Sequence, residues 1–378
     1  MSVPMGDVGV KIGYVIGGLG RGGAELQLVQ LAATMVGRGH EVELLAYDGA
    51  SPVDDVARQR GVTVRTPGAV GRIAKMVTTK RWYEAFRPDV VHGVMKRAST
   101  LALLARLPHR SPPVIATDMS TATYARRKPV LWASLLAFAL ADRVVTQTEL
   151  NRANIQRLAP WLRGRTEVVR NGLDVSRFQP LGAKVARNGG VFTFCVVGTV
   201  YAVKNPERVV RAVAELRRRG RTGFRVLWFG RTPAAASGRG QSAAGLAKAL
   251  GVSDVITFEG ETAAVECVYQ RADALLHASI QEGFPNAVAE GMACGLPIVV
   301  SNVSDLPEVV RTARNGFVFD PLDVGAMATA MEQMLETDQH ELDAMGMRSR
   351  ALAVEWFALE RFADDFEALY RGLSERSA

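Results

Sequence analysis

The stretch Ser279–Pro297, "SIQEGFPNAVAEGMACGLP", carries the densest chemical signal in the chain. The apolar run "ALLHAS" (274–279) leads into it as a strand, Pro285 suits an early helical position, and Gly295 with Pro297 stops the helix. The N–H groups around Gly283, Phe284, Asn286 and Ala287 would then be donors at a positive helix end, an anion and hydroxyl site by construction. Glu290 stands four residues after Asn286, on the same helix face. A carboxylate disfavours a phosphate beside it but accepts hydrogen bonds from neutral hydroxyls. Glu282 and Glu290 therefore read as groups that grip sugar hydroxyls around a diphosphate. Two solvated glutamates are the bland alternative, and their apolar and glycine neighbours argue against it.

A second glycine-rich segment, "GGLGRGGAEL" (17–26), follows the strand-like "VKIGYVI" (10–16). Gly18, Gly20 and Gly23 satisfy G-x-G-x-x-G, and Asp48 ends the next strand, "EVELLAY", about where a dinucleotide-binding fold carries its ribose acid. Glycines suit such a turn because they accept positive φ and let backbone N–H groups approach an anion. By itself the match leaves a nicotinamide enzyme open.

Strand-like runs alternate with amphipathic helical segments along the whole chain, which predicts an α/β protein with parallel sheets. The polar, glycine-rich "LGAKVARNGG" (181–190) reads as a linker, and the strand pattern restarts at "VFTFCVVGTV". Two doubly wound, Rossmann-like domains facing one another across a cleft are the simplest architecture. The expected boundaries are 1–183 for the first domain, 184–355 for the second, and 356–378 for a C-terminal helix returning to the first. That helix belongs to a segment (342–373) whose apolar stripe comprises Trp356, Phe357, Phe362, Phe366, Leu369 and Tyr370. The loop 231–241, "RTPAAASGRGQ", reads as either a lid or a tolerated insertion.

A chain of 378 residues, 48% hydrophobic, is long enough for two cores. Its longest apolar run, "PVLWASLLAFALA" (129–141), falls short of the ~20 residues that span a bilayer. No charged-then-apolar leader precedes the first strand, so a cytoplasmic protein is expected. Cys195, Cys267 and Cys294 are far apart in apolar surroundings, and the five histidines are scattered, so neither a disulfide framework nor a metal cluster is indicated. The net charge of +8 favours anionic partners in general. Nucleic acid is disfavoured because "RRK" (126–128) and "RRRGR" (217–221) lack interleaved aromatics. The second cluster reads as cations at a helix C-terminus. The first, beside the 129–141 run, has the composition of a patch facing an anionic membrane, with a buried core helix as the alternative.

Taken together, "GGLGRGGAE", "NGLDVSRFQP", "VGTVYAVKNPERVVRAVAEL", "EGFPNAVAEGMACGLPIVVS" and "NGFVFDPLD" make the chain resemble the GT-B fold glycosyltransferases of the large retaining family 4, over nearly its whole length. The resemblance implies that Glu282 touches the transferred sugar and Glu290 holds the nucleotide ribose. It also implies that the amides of Gly283 and Phe284 meet sugar and phosphate, and that Lys204 neutralises the donor pyrophosphate. An ammonium group in that role stabilises charge on the leaving nucleoside diphosphate as a metal would, so no metal or other cofactor is expected. The glycine turn becomes a wall of the cleft and Asp48 an ordinary strand-end residue. A dehydrogenase would leave Glu282 and Glu290 without purpose.

Two departures from the family pattern stand out. Thr199 occupies a position where many members carry arginine, which shifts charge onto Lys204 or Arg231. Asp118-Met119-Ser120 stands where many carry a histidine, so Asp118 is the expected substitute for orienting an acceptor hydroxyl or stabilising positive charge at the anomeric carbon; His92 is the alternative. The expected catalytic set is Glu282, Lys204 and Asp118. The expected substrate-binding set is Gly18, Gly20, Gly22, Gly23, Thr199, Gly230, Arg231, Gly283, Phe284, Pro285, Asn286 and Glu290. The implied reaction moves sugar from a UDP- or GDP-sugar to a glycan or lipid-linked acceptor, in cell-envelope or exopolysaccharide synthesis at the inner membrane face. A nucleotide-sugar epimerase or hydrolase of the same fold and a non-catalytic nucleotide-sugar-binding module are the alternatives.

Overall fold

The computed structural model describes residues 9–20, 22–119, 129–182, 190–232 and 242–376. Residues 126–128, most of the linker and the loop from 233 to 241 lie outside them. The chain divides into two compact units, Met1–Gly172 with Leu359–Ala378, and Leu173–Ala358.

In the first unit, β1 (Lys11–Ile16), β2 (Glu41–Ala46), β3 (Thr63–Arg65), β4 (Val90–Gly93), β5 (Val114–Asp118), β6 (Arg143–Thr146) and β7 (Thr166–Val168) form one parallel sheet. Its order is β3-β2-β1-β4-β5-β6-β7. Apolar side chains leave both faces of β1: Ile12, Tyr14 and Ile16 enter one core and Val15 the other. A strand buried on both faces needs helices on both sides, and the near-continuous apolar runs already require this.

The second unit repeats the plan with β8 (Phe192–Val197), β9 (Phe224–Phe229), β10 (Ile256–Gly260), β11 (Ala274–His277), β12 (Ile298–Ser301) and β13 (Gly316–Phe319). Its strands are also parallel, ordered β10-β9-β8-β11-β12-β13. In each sheet the winding reverses beside the first strand, between β1 and β4 and between β8 and β11. The carboxyl ends of the strands at such a reversal splay apart and leave the crevice where doubly wound sheets bind ligands.

The chain leaves the first unit earlier than the expected boundary, which itself falls outside the described residues. Leu173 already belongs to the second unit, where its N–H donates to Phe357 O at 2.6 Å and it bridges Ala358. Gly172 still belongs to the first: the Gln27 side chain brackets its N–H and carbonyl at 2.8 and 2.7 Å. A Cβ at Gly172 would sit 2.5 Å from the Phe362 ring, so only glycine fits.

The C-terminal apolar stripe is not one helix. A break at Ala358 separates the helix Gln339–Phe357 from the helix Leu359–Ser374. Phe357 packs in the second unit's core, whereas Phe362, Phe366, Tyr370 and Leu373 pack in the first's. Arg38 anchors the last helix through Glu360, Asp364 and Glu367, at 2.7–2.8 Å. The 129–141 run contributes Leu135, Phe138 and Ala141 to the first unit's core. Arg217, Arg218, Arg219 and Arg221 pair with Asp254, Glu215, Glu332 and Glu336, so this cluster is an intramolecular ion network.

The C-terminal helix is thus part of the first core. Phe366→Ala removes a buried ring that stacks on Tyr370 and packs at a tilt against His92. Urea unfolding of the first unit should register a loss of about 3–5 kcal/mol.

Candidate active site

The second unit builds its site at the winding reversal. After β8 the chain passes Gly198 and Thr199 into a short turn, Ala202–Lys204, and Asn205 then opens the helix Pro206–Arg218. Asn205 holds a left-handed backbone, φ 65°, which asparagine tolerates better than most residues. Its buried amide donates to Ala278 O at 3.1 Å and to Pro321 O at 2.7 Å. The segment that follows β11 is bound to the same turn, Ile280 N–H donating to Val203 O at 2.9 Å. These bonds bring Lys204 Nζ within 2.5 Å of Glu282 Oε1.

Glycine is required where the two strand ends meet. A Cβ at Gly230 would lie 2.1 Å from Gly198 O, and its φ is +154°. A Cβ at Gly198 would rest on the Lys204 stem at 3.4 Å, an ordinary contact, and it is the φ of +153° there that favours glycine. Trp228 Nε1 donates to Gly198 O at 2.8 Å and fixes the same carbonyl. Thr199 is half-buried; Arg231 is exposed, its carbonyl accepting from Val200 N–H at 2.8 Å.

Glu282 is the electrostatic centre of this cluster. Burial opposes its charge, but His277 and Lys204 together hold its carboxyl down to about 2. His277 Nε2 lies 3.5 Å from Glu282 Oε1, and burial pushes this imidazole below its ordinary pKa. At neutral pH the charge facing Glu282 is therefore the Lys204 ammonium.

The turn beyond Glu282 is held from β12 and the residues after it: Ser301 Oγ donates to Ser279 O at 2.7 Å, and Ser304 Oγ to Gly283 O. Phe284 is buried on Phe357, with ring centroids 4.8 Å apart, so only its backbone is offered to a ligand. Pro285 caps the helix Asn286–Ala293, whose first turn has no side-chain cap. Glu290 projects from this helix and accepts a hydrogen bond from the buried Tyr269 hydroxyl at 2.7 Å. Its carboxyl is pushed above the usual range, chiefly by burial. The two glutamates thus shift in opposite directions because Glu282 is hydrogen-bonded to an ammonium, whereas burial dominates at Glu290.

In the first unit, Gly22 caps the helix Gly23–Gly37 in extended conformation with no side-chain bond. The Glu25 carboxylate folds back over this turn, and a Cβ at Gly22 would meet it at 2.3 Å and one at Gly20 at 3.7 Å. Asp48 packs on Gly17 and Gly18 and pairs with Lys75 at 2.9 Å. Asp118, the last residue of β5, is fully buried with its carboxylate 3.1 Å from Lys96, and so exposes no surface of its own to a ligand. His92 is a saturated core group, with Nδ1 2.8 Å from the Tyr370 hydroxyl and Nε2 2.5 Å from Thr117 Oγ1; burial lowers its pKa to about 3. Among the described residues no three His, Cys, Asp or Glu side chains gather to hold a metal ion.

Asn205, His277, Tyr269 and Glu25 are site residues that the sequence reading passed over. Asn205 is the one with a local signal, since it follows Lys204 and precedes a helix-opening proline.

Residues 21–177 match the family described as Glycosyltransferase Family 4, and residues 191–337 match Glycosyl transferases group 1. A D-inositol 3-phosphate glycosyltransferase of Actinosynnema mirum is 28% identical over 335 residues, 79% of this chain and 80% of that one. One from Mycolicibacterium smegmatis is 30% identical over 207 residues, and the match spans 52% of this chain but only 46% of the relative. Among solved structures, Anabaena HepE in complex with UDP and glucose superposes with a TM-score of 0.82 at 16% identity, covering 95% of this chain and 99% of that one.

Removing the ammonium should raise the Glu282 pKa. Because that pKa lies below the ordinary 4.5, the pair's contribution to stability is complete above about pH 4.5 and is lost as pH falls toward 2. In Lys204→Met the carboxyl should titrate measurably higher by 13C NMR, and the loss of stability on acidification should begin at higher pH.

Proposed function

The chain belongs to glycosyltransferase family 4 with the GT-B fold and is a glycosyltransferase, and from that premise we propose that it transfers a sugar from a UDP-sugar to an acceptor hydroxyl with retention at the anomeric carbon. The observation that carries the reading is the Lys204–Glu282 pair at the carboxyl ends of β8 and β11. Glu282 accepts hydrogen bonds from the transferred sugar. The Lys204 ammonium and the uncapped N-terminus of Asn286–Ala293 offset charge on the departing diphosphate. Glu290, backed by Tyr269, takes the ribose hydroxyls. Retention rests on family membership, and UDP is favoured over GDP because HepE is complexed with it. Asp118 acts as a positioning residue for Lys96 rather than as a catalytic group.

The acceptor is an envelope glycan, a lipid-linked sugar or a phosphorylated polyol, the last suggested by the inositol phosphate in the relatives' names. Incubation with UDP-sugars and these acceptors should release UDP, with product anomers resolved by NMR. Glu282→Gln and Lys204→Met should each lower kcat by about 100-fold or more, and chelation by EDTA should leave turnover unchanged. Release of UDP at the unaltered rate in both variants would overturn the assignment.

A membrane-facing role for the first unit draws support from the helix Arg72–Phe86. Val70 and Ile73 are 88% and 76% exposed, with exposed Met76 and Val77 alongside, and Arg72, Lys80 and Arg81 flank them. Apolar side chains beside cations suit an anionic lipid surface. The membrane expectation for residues 126–128 lies outside the described residues, and no helix among those described is long and apolar enough to cross a membrane. In co-sedimentation with phosphatidylglycerol vesicles, Ile73→Glu with Val77→Glu should reduce binding severalfold; unchanged binding would remove this surface from the proposal.

A further inference from the structure

At the amino-terminal edge of the first unit's sheet, the edge opposite Asp118, an open pocket of about 350 Å3 is ringed by arginines. Arg106 and Arg110 enter from the segment after the helix Lys96–Ala105, Arg143 from the start of β6, Arg165 from just before β7, and Arg376 from beyond the C-terminal helix. Pro113, Leu140 and Leu373 add an apolar wall. The volume lies within the roughly 300–1,000 Å3 of small-ligand sites.

The charges around this pocket do not balance. Arg106 Nη1 donates to Asp142 Oδ2 at 2.6 Å, and Arg143 Nε lies 2.8 Å from Glu167 Oε1. Arg106 is nearly inaccessible; it also donates to Pro112 O at 3.1 Å and so shapes the floor. Arg165 donates only to carbonyls, those of Ala139 at 3.1 Å and Ala141 at 3.3 Å. Among the described residues Arg110, Arg165 and Arg376 have no carboxylate partner. Three like charges converging on one concavity repel one another, and an anion placed between them reverses the sign of that interaction. The planar guanidinium fork matches phosphoryl oxygens in particular. Arg110 is held in a left-handed backbone, φ 54°, seldom adopted by a residue with a side chain, and its carbonyl accepts from Arg106 Nη1 at 3.4 Å.

We propose that this pocket binds a phosphate ester, with Arg110, Arg165 and Arg376 around the phosphoryl group and the carbon portion against Pro113, Leu140 and Leu373. The site belongs to the first unit, whereas Lys204, Glu282 and Glu290 belong to the second, so it does not depend on the donor-site reading. An occupant would also tie the end of the C-terminal helix to the edge of the sheet, because Leu373 and Arg376 come from one and Arg143 and Arg165 from the other.

Titration calorimetry of the full chain with glycerol 3-phosphate and with inorganic phosphate tests the site. A second arm measures co-sedimentation with phosphatidylcholine vesicles containing phosphatidic acid. The expected result is saturable binding that weakens with salt, persists in Lys204→Met, and falls at least tenfold in the double variant Arg110→Gln, Arg376→Gln. Both arginines are exposed and their side chains pair with no other described residue, so the variant should keep its fold, which circular dichroism verifies. A fall in the soluble arm assigns a free phosphate ester, and a fall confined to the vesicle arm assigns a lipid headgroup. No binding in either arm, binding abolished by Lys204→Met alone, or equal binding by the double variant in both arms overturns the proposal.

Discussion

The ion pair between Lys204 and Glu282 is the interaction around which the second unit's site is arranged. Neither partner is freely solvated, with 19% and 16% of the side chain exposed, so each loses hydration that the other must replace. The surrounding bonds make that replacement possible. Asn205 ties the lysine turn to the end of β11, and Ile280 ties the glutamate's loop back to the lysine turn. Gly198, in a backbone conformation that favours glycine, packs beside the lysine stem. An ammonium held in this way is oriented before any ligand arrives, which is the condition under which a fixed charge is most effective at stabilising charge that develops in a reaction.

The two glutamates show how one short segment produces two different acids. Glu282 is drawn toward its ionised form by a neighbouring cation, while Glu290 is pushed toward its protonated form by burial, with a tyrosine hydroxyl as its hydrogen-bond partner. A carboxyl next to an ammonium is suited to a charged environment, and one in an apolar setting to neutral hydroxyls. The distinction follows from what each packs against, since the side chains are chemically identical.

The first unit is organised differently. Its glycine turn is overlain by Glu25 and braced by Asp48, and its strand-end aspartate and histidine are each already satisfied by Lys96 and by Tyr370 with Thr117. Tyr370 arrives from the C-terminal helix, which the chain delivers to this unit only after completing the other sheet. The first core is therefore completed by residues that follow the second sheet in the chain, and β4 carries a buried imidazole whose partner is distant in sequence.

Much of this was legible in the sequence. Apolar runs of strand length alternating with helical periodicity specify parallel sheets covered on both faces, because such strands have no polar side to leave in water. Residues 274–297 announced a strand, a helix start with free N–H donors and two carboxylates, all consequences of local spacing. The return of the chain to the first unit near 358 was expected from sequence to within three residues, but the division at Gly172, the Asn205 tether, the Tyr269–Glu290 bond and the burial of Asp118 against Lys96 were not legible. Each joins residues far apart in the chain or depends on which of two cores an apolar side chain enters, and periodicity is blind to that choice. Sequence by itself determined the sheets, the glycine turns and the types of group available; tertiary structure alone decided which carboxyl pairs with an ammonium and which is buried against a tyrosine hydroxyl, because burial and long-range partners set the charge of an acid and its neighbours along the chain do not.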